Sequence, residues 1–172
     1  VESTVAGTDF QFWRIPYKSA THTRTLVRRC AQVYGAHPLM QVFVVRRVLR
    51  PAGVEPRDLV GAARAIHAWV TRHIEFHNES GEQVKTPGCV LRVRFGDCDD
   101  RTGLVAAMLE SIRIPWRLQL LARRVDGRLR PFHIWPQARI SGRWWDLETS
   151  DRAARFGEHP VALMKRLQGL SL

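Results

Sequence analysis

The stretch Phe95-Gly96-Asp97-Cys98-Asp99-Asp100-Arg101-Thr102-Gly103-Leu104-Val105-Ala106-Ala107-Met108-Leu109 sets the frame for the whole chain. The Gly-Asp pair breaks the preceding segment. In the run that follows, Leu104, Met108 and Ser111-Ile112 recur at the spacing of a buried helix face. Asp97, Asp99 and Asp100 are the residue type expected in a helix cap and first turn, where free N–H groups and the positive dipole end favour anions. Cys98 is therefore expected at a helix N-terminus. Two fates are open to it there. It is a small buried hydrophobe, or the dipole end lowers its pKa and makes it a nucleophile at neutral pH.

Downstream, Pro131-Phe132-His133-Ile134-Trp135-Pro136-Gln137-Ala138-Arg139-Ile140 and Arg143-Trp144-Trp145-Asp146-Leu147-Glu148 flank Ser141-Gly142. Ser-Gly between two β-favouring runs reads as a hairpin. The start of the first strand then lies beside the end of the second. Asp146 and Glu148 are thereby carried toward His133. A Cys on a helix end, a His on one strand and a carboxylate on the next compose a nucleophilic Cys-His-acid site.

Three segments in this order, Gly96-Asp97-Cys98-Asp99-Asp100, His133-Ile134-Trp135 and Gly142-Arg143-Trp144-Trp145-Asp146-Leu147-Glu148, resemble the motifs of the transglutaminase-like superfamily. Ser111-Ile112-Arg113-Ile114-Pro115 resembles the bend that follows that family's Cys helix, and the likeness runs over roughly residues 55 to 150. Lys85-Thr86-Pro87 before the Cys motif resembles bacterial and phage-encoded members. The resemblance implies an α+β, papain-like fold: N-terminal helices, with the nucleophile Cys at a helix N-terminus packed on a small antiparallel sheet. It implies Cys98 as nucleophile and His133 as base. It puts Glu148 at the family's acid position, four residues after Trp144, and leaves Asp146 as the alternative acid. The stretch between the preceding helix and the Cys helix lines one side of that fold's cleft. Asn78 and Gln83 there have the chemistry of oxyanion donors beside the Cys98 backbone N–H, although exposed loop polarity accounts for them as well. Trp135 and Trp144 are candidates for the cleft wall or for the core.

The expected reaction is acyl transfer on a peptide or carboxamide, with hydrolysis favoured over transamidation and no cofactor. The alternative is a non-catalytic binding or phage assembly domain using a basic surface. The formal charge is +11, nearly all of the positive residues being Arg. Those residues are scattered, so a protein or peptide partner is expected ahead of nucleic acid. No apolar run reaches membrane-spanning length. Cys30, Cys89 and Cys98 are an odd set, which argues for free thiols in a reducing, cytoplasmic or virion-associated setting. No zinc-type ligand spacing occurs, so no metal is expected.

A single domain over 1–172 is expected, divided into an arm and helices (1–54), a catalytic core (55–150) and a C-terminal extension (151–172). Phe10, Phe12, Trp13 and Tyr17 suggest an arm that anchors aromatics. Helices are expected over 21–34, over a segment from His37 to Leu49 whose β-branched run also suits a strand, over 56–74, and over a short turn capped by Thr86 through Val93. His67 and His73 read as helix-interface residues. Trp116–Leu120 alternates as a strand, Asp126-Gly127 is a hairpin turn, and Val161–Leu167 is a terminal helix.

Overall fold

The computed structural model describes residues 13–14, 20–78 and 83–169. Phe10, Phe12 and Tyr17 of the expected aromatic arm lie outside these. Trp13–Arg14 forms β1, which pairs antiparallel with β3 (Gln83–Val84).

Helix α5 (Cys98–Ser111) is the element the others pack around, and every residue from Asp99 to Leu109 in it is buried. Helix α1 (Ala20–Gly35) runs along it. They approach tightly at Gly35, where a Cβ would stand 2.4 Å from the Cβ of Glu110. Val27 and Ala31 of α1, both fully buried, join Leu104, Ala107 and Met108 of α5 in the core. Chain 38–49 is helical throughout, as α2 (Pro38–Phe43) followed by a π-helical stretch at Val44–Leu49. There Arg50 N–H reaches back to Val45 C=O at 3.0 Å. This wider turn relieves crowding in the β-branched run, which had also suited a strand. Helix α3 (Leu59–His73) begins later than Pro56 because Asp58 is its cap, its carboxylate accepting from Gly61 N–H at 2.8 Å.

Strand β2 (Glu75–Phe76) leaves α3 and pairs in parallel with β4 (Phe95–Gly96), immediately before Cys98. Between them stands α4 (Pro87–Val93), capped by Thr86, with Arg94 in a left-handed conformation (φ 66°) ending it. Strands β5 (Trp116–Val125), β6 (Arg128–Ile140) and β7 (Arg143–Asp146) form an antiparallel sheet with β6 in the centre. The hairpin turns at Asp126-Gly127 and Ser141-Gly142 each hold two positive-φ residues, the mirror-image turn geometry that suits twisted strands. Strand β6 is longer than its sequence suggested and runs through both Pro131 and Pro136. The Pro136 carbonyl accepts from Leu147 N–H at 3.0 Å just beyond β7, so the missing Pro N–H lies where that pairing ends. Ile134, Ala138 and Ile140 bury one face of the sheet against the helices. Helix α6 (Pro160–Leu167) closes the described chain, and His159 at its start packs edge-on against Trp135. No helix among the described residues is long and apolar enough to cross a membrane.

Candidate active site

The N-terminus of α5 is fixed by its own acids. Asp97 caps the helix, accepting from the N–H groups of Asp99 (3.2 Å) and Asp100 (3.4 Å), and the Asp100 carboxylate accepts from Asp97 N–H in return. Asp100 is fully buried and also takes Lys85 N–H at 2.6 Å and Lys85 Nζ at 2.9 Å. Burial pushes the Asp100 carboxyl up to about 6, with the Asp97 charge adding to the effect and Lys85 opposing it. Gly96 is required here: a Cβ on it would lie 2.6 Å from the Asp100 Cβ. Asp97, Asp99 and Asp100 place oxygens within 4.8 Å of one another, the spacing of a metal cluster. The Asp97 and Asp100 oxygens already accept from backbone N–H groups and, for Asp100, from Lys85.

This helix end docks on β6 where β7 has stopped and the strand edge is open. Ile134 N–H faces the Cys98 sulfur, and Thr102 Oγ1, one turn on, donates to Ile134 C=O at 3.1 Å. Cys98 is thereby held against the residue next to His133 in a partly buried position. Cys30 and Cys89 are buried, on α1 and α4.

His133 Nε2 hydrogen-bonds to the Glu148 carboxylate, Glu148 being almost completely buried. The other Glu148 oxygen accepts from Ser150 N–H at 2.6 Å. Burial pushes the Glu148 carboxyl up, but the His133 hydrogen bond and charge and the Ser150 N–H outweigh it, so its pKa is net lowered. Trp135 stacks nearly parallel to the His133 ring, with centroids 5.9 Å apart. Asp146 stands opposite Gln137 in the β6–β7 register. One of its oxygens accepts from Trp135 Nε1 (2.6 Å) and Gln137 Nε2 (2.7 Å). The carboxylate bonded to His133 is Glu148; Asp146 instead braces the tryptophan that stacks on it.

The other expected positions are Trp144, Asn78 and Gln83. Trp144 lies under Arg117, whose Cζ is 4.1 Å from the ring centroid, with Arg139 also over it; these are its described ring contacts. Asn78 is exposed on the chain leaving β2. Gln83 contributes backbone to β3, and its side chain lies outside the described residues. Of the two fates open to Cys98, a lowered pKa is not the one its surroundings favour. Burial pushes the thiol up to about 12, the charges of Asp97 and Asp99 and, more weakly, Glu148 add to it, and the Ile134 N–H only partly opposes them. The capping carboxylates that favour the helix end also place negative charge beside the sulfur, and this offsets the dipole.

Two supporting residues were not legible as such. His67, on the buried face of α3, donates from Nε2 to Glu148 C=O at 2.6 Å. Burial lowers its pKa, and because a carbonyl only accepts, Nε2 carries the proton. Arg101, also buried, donates to Val70 C=O at 3.4 Å and lies close enough to Glu148 for their charges to interact. A helix-period histidine and an arginine after an acidic cap carry no local signal of either role.

A three-stranded antiparallel sheet docked on a helix that opens with Cys98, with a His-carboxylate pair on the adjoining strand and loop, defines an α+β fold of the transglutaminase-like kind. The chain belongs to the transglutaminase-like superfamily, whose core model matches residues 48–149. Two solved structures share the fold at 16% sequence identity. One is named a "putative cysteine protease" from Cytophaga hutchinsonii (TM-score 0.53), with 82% of this chain and 49% of that chain covered. The other is named a "putative protease" from Parabacteroides distasonis (TM-score 0.57), with 78% of this chain and 27% of that chain covered. The chain thus spans about half the length of the first and about a quarter of the second. A search of curated proteins finds no match to the sequence.

Proposed function

We propose that this chain is a cysteine-dependent acyl transferase acting on peptide or carboxamide bonds, chiefly as a peptidase or amidase, with Cys98, His133 and Glu148 as its catalytic residues. The observation that carries the reading is the hydrogen bond of buried Glu148 to His133, whose strand neighbour Ile134 turns its N–H toward the Cys98 sulfur. With the thiol pKa pushed up to about 12, Cys98 rests as S–H. His133 takes that proton as the sulfur attacks the carbonyl carbon. Glu148 holds the imidazole in orientation and balances the charge it gains. The Cys98 backbone N–H, at the helix start, is the donor proposed for the oxyanion. The C–N bond then breaks, His133 returns its proton to the leaving amine, and a thioester remains on Cys98. Water, deprotonated by His133, releases a carboxylic acid and restores the thiol; an amine in its place gives a new amide.

The test is a library of glutamine-containing peptides, followed by mass spectrometry with and without a primary alkylamine. Hydrolysis gives acid products that are insensitive to the amine. Transamidation gives amine adducts. Products that persist in Cys98→Ala would remove the nucleophile. A chain that turns over no amide fits the alternative, a binding domain that keeps the fold.

A further inference from the structure

His67, which bonds the carbonyl of Glu148, also forms part of the wall of a cavity of about 610 Å³ between α3 and the chain following β7. Arg64, Arg72, Arg152 and Phe156 line it further, and neither Cys98 nor His133 does. We propose that this cavity is a binding site for a small, multiply charged oxyanion: a phosphate ester or a polycarboxylate.

The three lining arginines are exposed. Among the described residues no carboxylate forms an ion pair with any of them. The acids on the same chain segment are already engaged. Glu148 holds His133 and Ser150 N–H, Asp151 accepts from Ala153 N–H at 2.7 Å, and Glu158 pairs with Arg166 at 2.7 Å. Arg101 is buried nearby, close enough for its charge to interact with Arg152 as well as with Glu148 and Asp151. Arg64 is held over the Phe156 ring, its Cζ 5.5 Å from the centroid, which fixes one guanidinium at the rim. The volume falls within the range of about 300–1,000 Å³ usual for small-ligand sites. Guanidinium forks match phosphate and carboxylate oxygens in pairs. Phe156, with buried Ala154, offers an apolar patch for the ligand body.

Isothermal titration calorimetry of the chain with pyrophosphate and with citrate, at constant ionic strength set by potassium chloride, tests the site. One saturable site is expected. Binding by pyrophosphate alone marks a phosphate-ester site, by citrate alone a polycarboxylate site, and by both the shared oxyanion chemistry. The double variant Arg72→Gln/Arg152→Gln should bind at least tenfold more weakly, and Arg64→Gln should weaken binding in the same direction. Arg46→Gln/Arg47→Gln, an exposed pair that does not line the cavity, should bind like the unaltered chain. The substituted arginines lie at the surface, and circular dichroism checks that the fold persists. Absence of saturable binding by either anion, or equal loss in both double variants, overturns the proposal. Binding should also persist in Cys98→Ala, so its outcome is independent of whether the chain transfers acyl groups.

Discussion

Asp146 and Glu148 are two positions apart, and strand alternation alone puts both on one face. Their partners separate them. Glu148 is bonded to His133, whereas one Asp146 oxygen accepts from both Trp135 and Gln137. Glu148→Gln is therefore expected to lower turnover by about 10³–10⁴-fold, the scale of losing the orienting carboxylate in such a site. Asp146→Asn should keep most of the activity and lose about 1–2 kcal/mol of stability, through weakened hydrogen bonds at a partly buried site. Steady-state rates and denaturant melts of the two variants check this, and the reverse pattern of rates would exchange their roles. The raised Cys98 pKa has its own consequence. Alkylation of Cys98 by iodoacetamide, followed by peptide mass spectrometry, should climb steadily with pH and show no plateau below pH 9. A plateau near neutrality would mean a preformed thiolate–imidazolium pair.

At the scale of elements, the site depends on how α5 is seated. Thr102 anchors the helix to the open edge of β6, so Thr102→Val leaves the Ile134 carbonyl short of a donor and should cost about 1–3 kcal/mol in a denaturant melt. Lys85→Met removes the partner of buried Asp100 and should cost about 3–5 kcal/mol. Much of this architecture was readable in the sequence. The Gly-Asp-Cys turn, the Asp cap, the Ser-Gly hairpin and Thr86 as a cap are local signals, and local hydrogen bonding decides them. What escaped is set by tertiary contact. His67 meets a carbonyl 81 positions away, and Trp144 is covered by an arginine from another strand. The Cys98 pKa turns on burial and on neighbouring acids, which the helix-end position of the residue does not reveal. The β-branched stretch at 44–49 was ambiguous because a π-helical turn satisfies both its local crowding and its helical neighbours.

For the whole molecule, the linkage between protonation and folding has opposing parts. His67 has a folded pKa below its usual value, so its contribution is present above about pH 6.5 and is lost as pH falls through the folded value. The lowered Glu148 pKa gives stability above its usual carboxylate range that is lost at still lower pH. Asp100 runs the other way. Its pKa is raised to about 6, so its contribution is greatest below the usual Asp range and is lost as pH rises through that value. Thermal melts from pH 7 down to pH 5 should show His67→Gln losing less stability than the unaltered chain, because the proton-sensitive ring is gone; parallel curves would place His67 outside the linkage. The central claim, that Cys98 receives an acyl group with His133 taking its proton, is tested most directly with p-nitrophenyl acetate, an acyl donor that does not require the natural substrate. Rapid-mixing absorbance should show a nitrophenolate burst. Acid-quenched peptide mass spectrometry should place the acetyl group on Cys98, and the burst should vanish in Cys98→Ala and slow sharply in His133→Ala. A burst that survives in Cys98→Ala, or acetyl found on Cys30 or Cys89 in place of Cys98, would contradict it.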